Sequence, residues 1–376
     1  MGIQERYSLS KTQEDLSQVD NPARREFLGQ LVKFLGTVAL TSSSATIGSK
    51  ISEFFERVRD KEVLKSSTPQ FGVNIRPEAL HWFGLDQKDA LETLFTLPAT
   101  ERLRIAVPFD QVAKTDGGWD VKVREKLIEE TLAQGKGIDL QLGIKTIGWP
   151  EAHLPDWLVN YFPYLVQRGE ILDKDPRVQE LFLEYVDRTA DFYLRYQGIK
   201  SVQVENEVGS KRLPITKYRR ISIDFNEREV TAVRKYIQKH RQGQIPILQN
   251  FPFDTPEAWL YVLRNSDIIG LNIYNQQEGE SVPENFLWGA ADVASRISRI
   301  LKKQVFITEF QSAAWIDENK KPVYPFTPEK RQEGLQKIVK LKPDAILLWD
   351  VEQLLWRTKN GEKEHLEFLN SLPEAA

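Results

Sequence analysis

Acidic side chains close several short apolar runs in this 376-residue chain: Val204-Glu205-Asn206-Glu207, Phe306-Ile307-Thr308-Glu309 and Leu348-Trp349-Asp350. A carboxylate beside buried apolar residues loses its hydration and persists there only with partners or a task. Two carboxyls aimed at one another suit the cleavage of an acetal. One protonates the leaving oxygen, and the other, ionised, attacks the anomeric carbon as an oxocarbenium-like transition state forms. In this reading Glu207 is the general acid/base and Glu309 the nucleophile. The expected separation of their carboxyls is about 5–5.5 Å, the spacing that goes with retention of anomeric configuration. Mutual repulsion is expected to keep Glu207 protonated while Glu309 stays charged. Glu205, two residues before Glu207, shares its face in an extended strand. Glu207 is preferred because it follows an asparagine and lies nearer the strand end, which leaves Glu205 a rim or supporting place.

The elements that must position these groups alternate regularly. Runs of strand character cover Phe71–Ile75, Leu103–Val107, Ile138–Ile144, Ser201–Glu205, Ile245–Gln249, Ile268–Ile273, Gln304–Thr308 and Ala345–Trp349. Helical stretches fall near 85–97, 121–134, 175–196, 224–239, 255–263, 287–302, 328–341 and 362–371. Eight such units predict the α/β class and a closed (β/α)8 TIM barrel, whose chemistry sits at the C-terminal ends of the strands. No GxGxxG turn follows the first strand and no Walker-type loop occurs, which argues against a doubly wound nucleotide-binding sheet.

The sequence resembles the retaining glycoside hydrolases of clan A, families 5 and 39 in particular, over roughly residues 70–370. Asn206-Glu207 matches the strand-four Asn-Glu pair, and Glu309 in Ile307-Thr308-Glu309-Phe310 matches the strand-seven nucleophile. Arg104, in the segment from Leu103 to Asp110, resembles the strand-two arginine, Tyr274 the strand-six tyrosine and Trp349 the strand-eight tryptophan. The resemblance implies that Asn206 binds the sugar 2-hydroxyl, that Arg104 holds Glu309 ionised, that Tyr274 bonds the nucleophile and that Trp349 floors the subsite under attack. The chain departs from family 5 at Asn272, where a histidine is usual, at Val208, where proline is common, and at Gln311, where glycine is usual. These departures bear on the substrate more than on the reaction.

Further substrate contacts are expected from the segment after strand three, where Lys145, Trp149, His153 and Trp157 are spaced by prolines, and from Trp315 beyond the nucleophile. Irregular aromatic loops at a barrel mouth commonly bind ligands. Nine tryptophans fit a sugar-binding chain, and a net charge of -3 carries no basic excess for a nucleic-acid backbone. The absence of cysteine excludes disulfides and thiolate chemistry, and the four histidines (His81, His153, His240, His365) show no metal-ligand spacing. The expected partner is a poly- or oligosaccharide, with no cofactor, no metal, no nucleic acid, and a monomeric state. A catalytically silent carbohydrate-binding barrel is the alternative function.

Residues 1–45 are expected to form a twin-arginine-type signal or anchor: Arg24-Arg25 precedes an apolar stretch from Phe27 to Leu40 and a small-residue patch from Thr41 to Ala45. Residues 46–68 read as a linker helix and 69–374 as the catalytic domain. Export to the envelope or medium follows if the leader is a signal, with membrane association only through that leader; otherwise the chain stays cytoplasmic.

Overall fold

The computed structural model describes residues 68–372 apart from positions 116, 149–151, 168, 210–218, 242–244, 251–255, 275–283 and 325. The expected leader, nearly all of the linker, and Trp149 lie outside the described residues. Among the described residues no helix is long and apolar enough to cross a membrane.

Eight parallel strands close a barrel in sequence order: β1 Gln70–Ile75, β2 Arg102–Ala106, β3 Gly137–Leu142, β4 Ile199–Val204, β5 Ile247–Asn250, β6 Ile268–Ile273, β7 Gln304–Gln311 and β8 Ala345–Trp349, with β8 pairing back onto β1. Around them run α1 Pro77–Phe83, α2 Gln87–Thr96, α3 Phe109–Val112, α4 Glu125–Ala133, α5 Asp156–Tyr161, α6 Pro176–Tyr193, α7 Ile223–Arg241, α8 Pro256–Asn265, α9 Glu284–Ile300, α10 Pro328–Lys340, α11 Val351–Lys359 and α12 Glu364–Ser371. The expected (β/α)8 fold is the observed one. Helix starts follow local chemistry. Asp175 caps α6 by accepting from the Arg177 amide, and Thr327 caps α10 by accepting from the Lys330 amide, each before a proline at the first helical position. The unexpected helices α1, α3, α5 and α11 are nine residues or shorter, too brief to show a helical period in the sequence.

The strands divide their side chains by period two. Val73, Leu103, Ile105, Leu140, Val202, Val204, Ile269, Val305, Ile307 and Leu348 belong to the main apolar core beneath the helices. The barrel interior holds the other set, and much of it is polar. Near the N-terminal end, Leu248, Ile268, Phe306 and Ala345 form a small apolar layer, with the Arg102 guanidinium 4.6 Å above the Phe306 ring. Arg102 meets Asp139 through two bonds of 2.6 and 2.5 Å, and Ser201 donates to the same carboxylate at 2.5 Å. Asp139→Ala would leave the Arg102 cation buried and uncompensated. The expected loss is about 3–5 kcal/mol in a denaturant titration; a loss below about 1 kcal/mol would show that Arg102 finds other partners.

Candidate active site

Above that layer β7 carries an extra residue. Leu271 pairs with Ile307 but Asn272 pairs with Glu309, and the register toward β8 shifts between Ile307 and Phe310. Such a bulge interrupts strict alternation and re-aims a side chain. Here it lets consecutive residues, Thr308 and Glu309, both reach interior partners. It also frees the Thr308 carbonyl, which accepts from Asn74 Nδ2 at 3.0 Å and from Arg104 Nη1 at 3.3 Å. Glu309 Oε1 accepts from Arg104 Nη1 at 3.0 Å, and Glu309 Oε2 accepts a short bond from the Tyr274 hydroxyl. Arg104, entirely buried, is held by Asn74 Oδ1 at 2.9 Å and donates to Asn206 Oδ1 at 3.2 Å. One guanidinium thus ties Glu309 to the Asn206 side chain across the mouth.

Glu207 is reached from β6. Asn272 donates its Nδ2 to Glu207 Oε1 at 3.0 Å. The orientation of that amide is imposed from behind, since Asn272 Oδ1 accepts from Asn250 Nδ2 at 2.9 Å and from Thr308 Oγ1 at 2.7 Å. Glu309 and the Glu207 partner are therefore register neighbours on adjacent strands. The expected carboxyl pair converges on one site from β4 and β7.

The backbone after β4 departs from the extended form the sequence suggested. Glu205 has φ 64° and Glu207 φ 47°, a left-handed conformation that costs a non-glycine residue roughly 1–3 kcal/mol. The first of these turns breaks the alternation that would have put both carboxyls on one face. Glu205 leaves the mouth, is fully buried, and accepts from the amides of Ile144 and Lys145 at 2.6 Å each. It is not a rim residue. Lys145, itself buried, places its Nζ 3.4 Å from the Glu207 carbonyl.

Tyr274 and Trp349 join Ala106 and Ile147 in a small apolar cluster, with Trp315 packed against it at half-burial. Tyr274 lies 5.4 Å from Trp315 and meets Trp349 edge-on at 6.2 Å. The Arg76 guanidinium lies 4.4 Å from the centre of the Trp349 ring and is ion-paired to Asp350 and Glu352. Burial, more than the Arg76 cation can offset, pushes Asp350 up to about 6. Arg104, Asn206, Glu207, Tyr274 and Glu309 are thus brought together, with Trp349 and Trp315 beside them and Lys145 behind the Glu207 backbone. Asn74, Asn250, Asn272 and Thr308 were not among the expected site residues. Their signal was present as polar residues at inward-facing positions of otherwise apolar strands.

Electrostatics modify one expectation. Burial raises the Glu309 carboxyl above its ordinary value; Arg104 opposes this, Glu207 adds to it, and the Tyr274 bond lowers it again. The arginine acts in the expected direction, but desolvation is the larger effect. Among the described residues, Glu362, Glu364 and His365 could approach one cation, with ligand atoms within 4.8 Å. However, His365 Nδ1 bonds Arg331 at 3.0 Å and Nε2 bonds Glu362 at 3.1 Å, so both ring nitrogens are already engaged.

The arrangement can deliver a proton from one carboxyl and a nucleophilic or stabilising carboxylate from the other, beside the aromatic cluster of Tyr274, Trp349 and Trp315. No protein-family model matches the chain, and no curated protein does. Solved structures do. A β-galactosidase from Bacillus circulans sp. alkalophilus superposes at TM-score 0.60 and 12% identity, over 82% of this chain and 55% of its own. A β-galactosidase from the Antarctic haloarchaeon Halorubrum lacusprofundi matches at TM-score 0.51 and 15% identity, over 74% and 52%. The GH5_18 protein of Streptomyces cattleya, solved in complex with GlcNAc, matches at 0.54 and 15%, over 76% and 71%. This chain therefore spans little more than half the length of the two β-galactosidases. These likenesses show a shared barrel fold.

Proposed function

We propose that this chain is a retaining glycoside hydrolase acting on O-glycosidic bonds of a poly- or oligosaccharide, a β-glycan by preference, with Glu309 as nucleophile and Glu207 as acid/base. The observation that carries the reading is what surrounds the strand-seven carboxyl. Glu309 receives a cation from Arg104 and a phenol from Tyr274, while Asn272, its register neighbour, donates to Glu207. A carboxyl next to a fixed cation is favoured as the ionised, attacking partner. The names of the structural neighbours, β-galactosidases and a GlcNAc complex, agree with the substrate class.

In the first step Glu309 Oε attacks the anomeric carbon and the bond to the leaving oxygen breaks, that oxygen taking the Glu207 proton. In the second, Glu207 removes a proton from water, the water oxygen bonds the anomeric carbon, and the ester to Glu309 is released. In this reading Asn206, whose Oδ1 accepts from Arg104, binds a sugar hydroxyl, and Trp349 and Trp315 line the sugar subsite. Export through residues 1–45 and action as a monomer on an envelope or extracellular glycan complete the proposal. The test is a panel of aryl glycosides and soluble β-glucans, with the anomer first released identified by proton NMR. Hydrolysis with retention supports the reading; no cleavage across the panel, or inversion, rejects it.

Attack requires ionised Glu309, so kcat/KM is expected to fall as pH drops through a value above the ordinary carboxylate range of about 4.3. Arg104→Met removes the opposing cation and raises that carboxyl further. The acid limb is expected to move upward by about 1–3 pH units. An unmoved limb in a folded variant would show that Arg104 does not control Glu309.

A further inference from the structure

One buried carboxyl pair has no part in the proposed chemistry. Glu205, at the end of β4, and Glu229, on α7, are both fully buried, with their carboxyls close enough to interact directly. Two buried carboxyls this close repel unless one carries a proton. Glu205 already accepts from two backbone amides, Ile144 and Lys145, at 2.6 Å each, which favours the negative charge on Glu205 over Glu229. Glu229 Oε2 accepts from Asn226 Nδ2 at 3.2 Å, and the Tyr261 hydroxyl donates to Asn226 Oδ1 at 2.6 Å, which sets that amide's orientation. The Lys145 ammonium, the Asp173 carboxylate and the hydroxyls of Tyr185 and Tyr261 also face the pair. Burial pushes Glu205 up to about 7 and Glu229 well above its ordinary range, so the proton stays within the pair near neutrality.

The pair sits beneath the turn that follows β3. Gly143 has φ 123°, and a Cβ there would lie 2.6 Å from Glu205 Cδ, so the turn is built around this carboxylate. From the same turn Lys145 reaches the Glu207 carbonyl, while Gln203 Nε2 donates to the Glu205 carbonyl at 2.9 Å. The left-handed backbone at Glu205 and Glu207 is thereby fixed at three points: the Glu205 side chain, the Glu205 carbonyl and the Glu207 carbonyl.

We propose that Glu205, packed against Glu229, is a positioning residue that holds Glu207 in place for proton transfer, acting through the turn after β3 and the Lys145 ammonium. The proposal rests on Glu207 being the acid/base. Loss of positioning should therefore hurt substrates that need their leaving oxygen protonated and spare those that do not. Glu229→Leu removes the polar group that lies against Glu205, whereas Glu229→Gln keeps a donor of the same shape. With a phenyl glycoside, Glu229→Leu is expected to lower kcat/KM about 10- to 100-fold, part of the usual contribution of a general acid. With the dinitrophenyl glycoside of the same sugar, the change should stay within about threefold, since that leaving group departs without help. Glu229→Gln should recover most of the loss on the phenyl substrate. Equal loss on both substrates, no loss on either, or a glutamine variant no better than leucine overturns the proposal. If the leucine variant does not fold, Glu205→Gln is read on the same two substrates against the same outcomes. Wild type cleaving neither glycoside would reject the glycosidase reading itself, a result distinct from all of these.

Discussion

Glu309→Gln is expected to lower kcat/KM by at least about 10³-fold, equivalent to about 4 kcal/mol of transition-state stabilisation, on any glycoside the wild type cleaves. The substitution is close to isosteric. The glutamine oxygen can still accept from Arg104 Nη1, and its amide can donate to the Tyr274 hydroxyl, which then turns to accept. A thermal midpoint near that of wild type is therefore expected, and the loss is chemical rather than structural. An amide cannot form the ester intermediate, and it offers no negative charge to the developing oxocarbenium ion. A variant retaining full activity would remove Glu309 from the mechanism. A variant that unfolds would show that the carboxylate is instead a structural counter-ion for buried Arg104.

Glu207→Ala is the second large effect, and its signature is dependence on the leaving group. Where the leaving group is a sugar, kcat/KM is expected to fall about 10²–10⁴-fold, because the departing alkoxide must be protonated as the bond breaks. For a dinitrophenyl glycoside that fall should be small, while kcat drops because the second step lacks its base. Azide, which attacks without giving up a proton, should restore turnover. The cavity is polar on the Asn272 side, where Nδ2 donates to Glu207 Oε1, so a small anion has a donor to meet. A uniform loss across leaving groups, with no azide effect, would assign the proton transfer elsewhere.

The sequence made the frame of this site readable because barrel strands repeat with period two. Arg102-Leu103-Arg104-Ile105 alternates polar and apolar residues, and the structure sends the arginines inward and the aliphatics under the helices. The carboxylates stood out because a charged residue after an apolar run is expensive without cause. Two local backbone events were not readable. The bulge that lets Thr308 and Glu309 both face inward leaves no mark in residue types, since Thr308-Glu309 continues the strand pattern. The left-handed turn at Glu205 occurs at a residue with a Cβ, where glycine would have been the signal, and it sends Glu205 to the helix layer. It follows that Lys145, read as an open substrate contact, sits behind Glu207. Asn272 was legible as a departure from the resembled pattern but not as the partner of Glu207, because that pairing depends on how β4 turns.

The central claim, that Glu309 forms the covalent bond to the sugar, is tested most directly by trapping that bond. The wild-type protein is incubated with the fluorinated sugar analogue of its best aryl glycoside, which forms the intermediate faster than it releases it. Intact mass and peptide mapping then locate the adduct. The account predicts one glycosyl unit per chain, on the peptide containing Glu309, and none on Glu309→Gln. An adduct on Glu207 or Glu205, or complete turnover with no adduct in an enzyme that inverts, would contradict it.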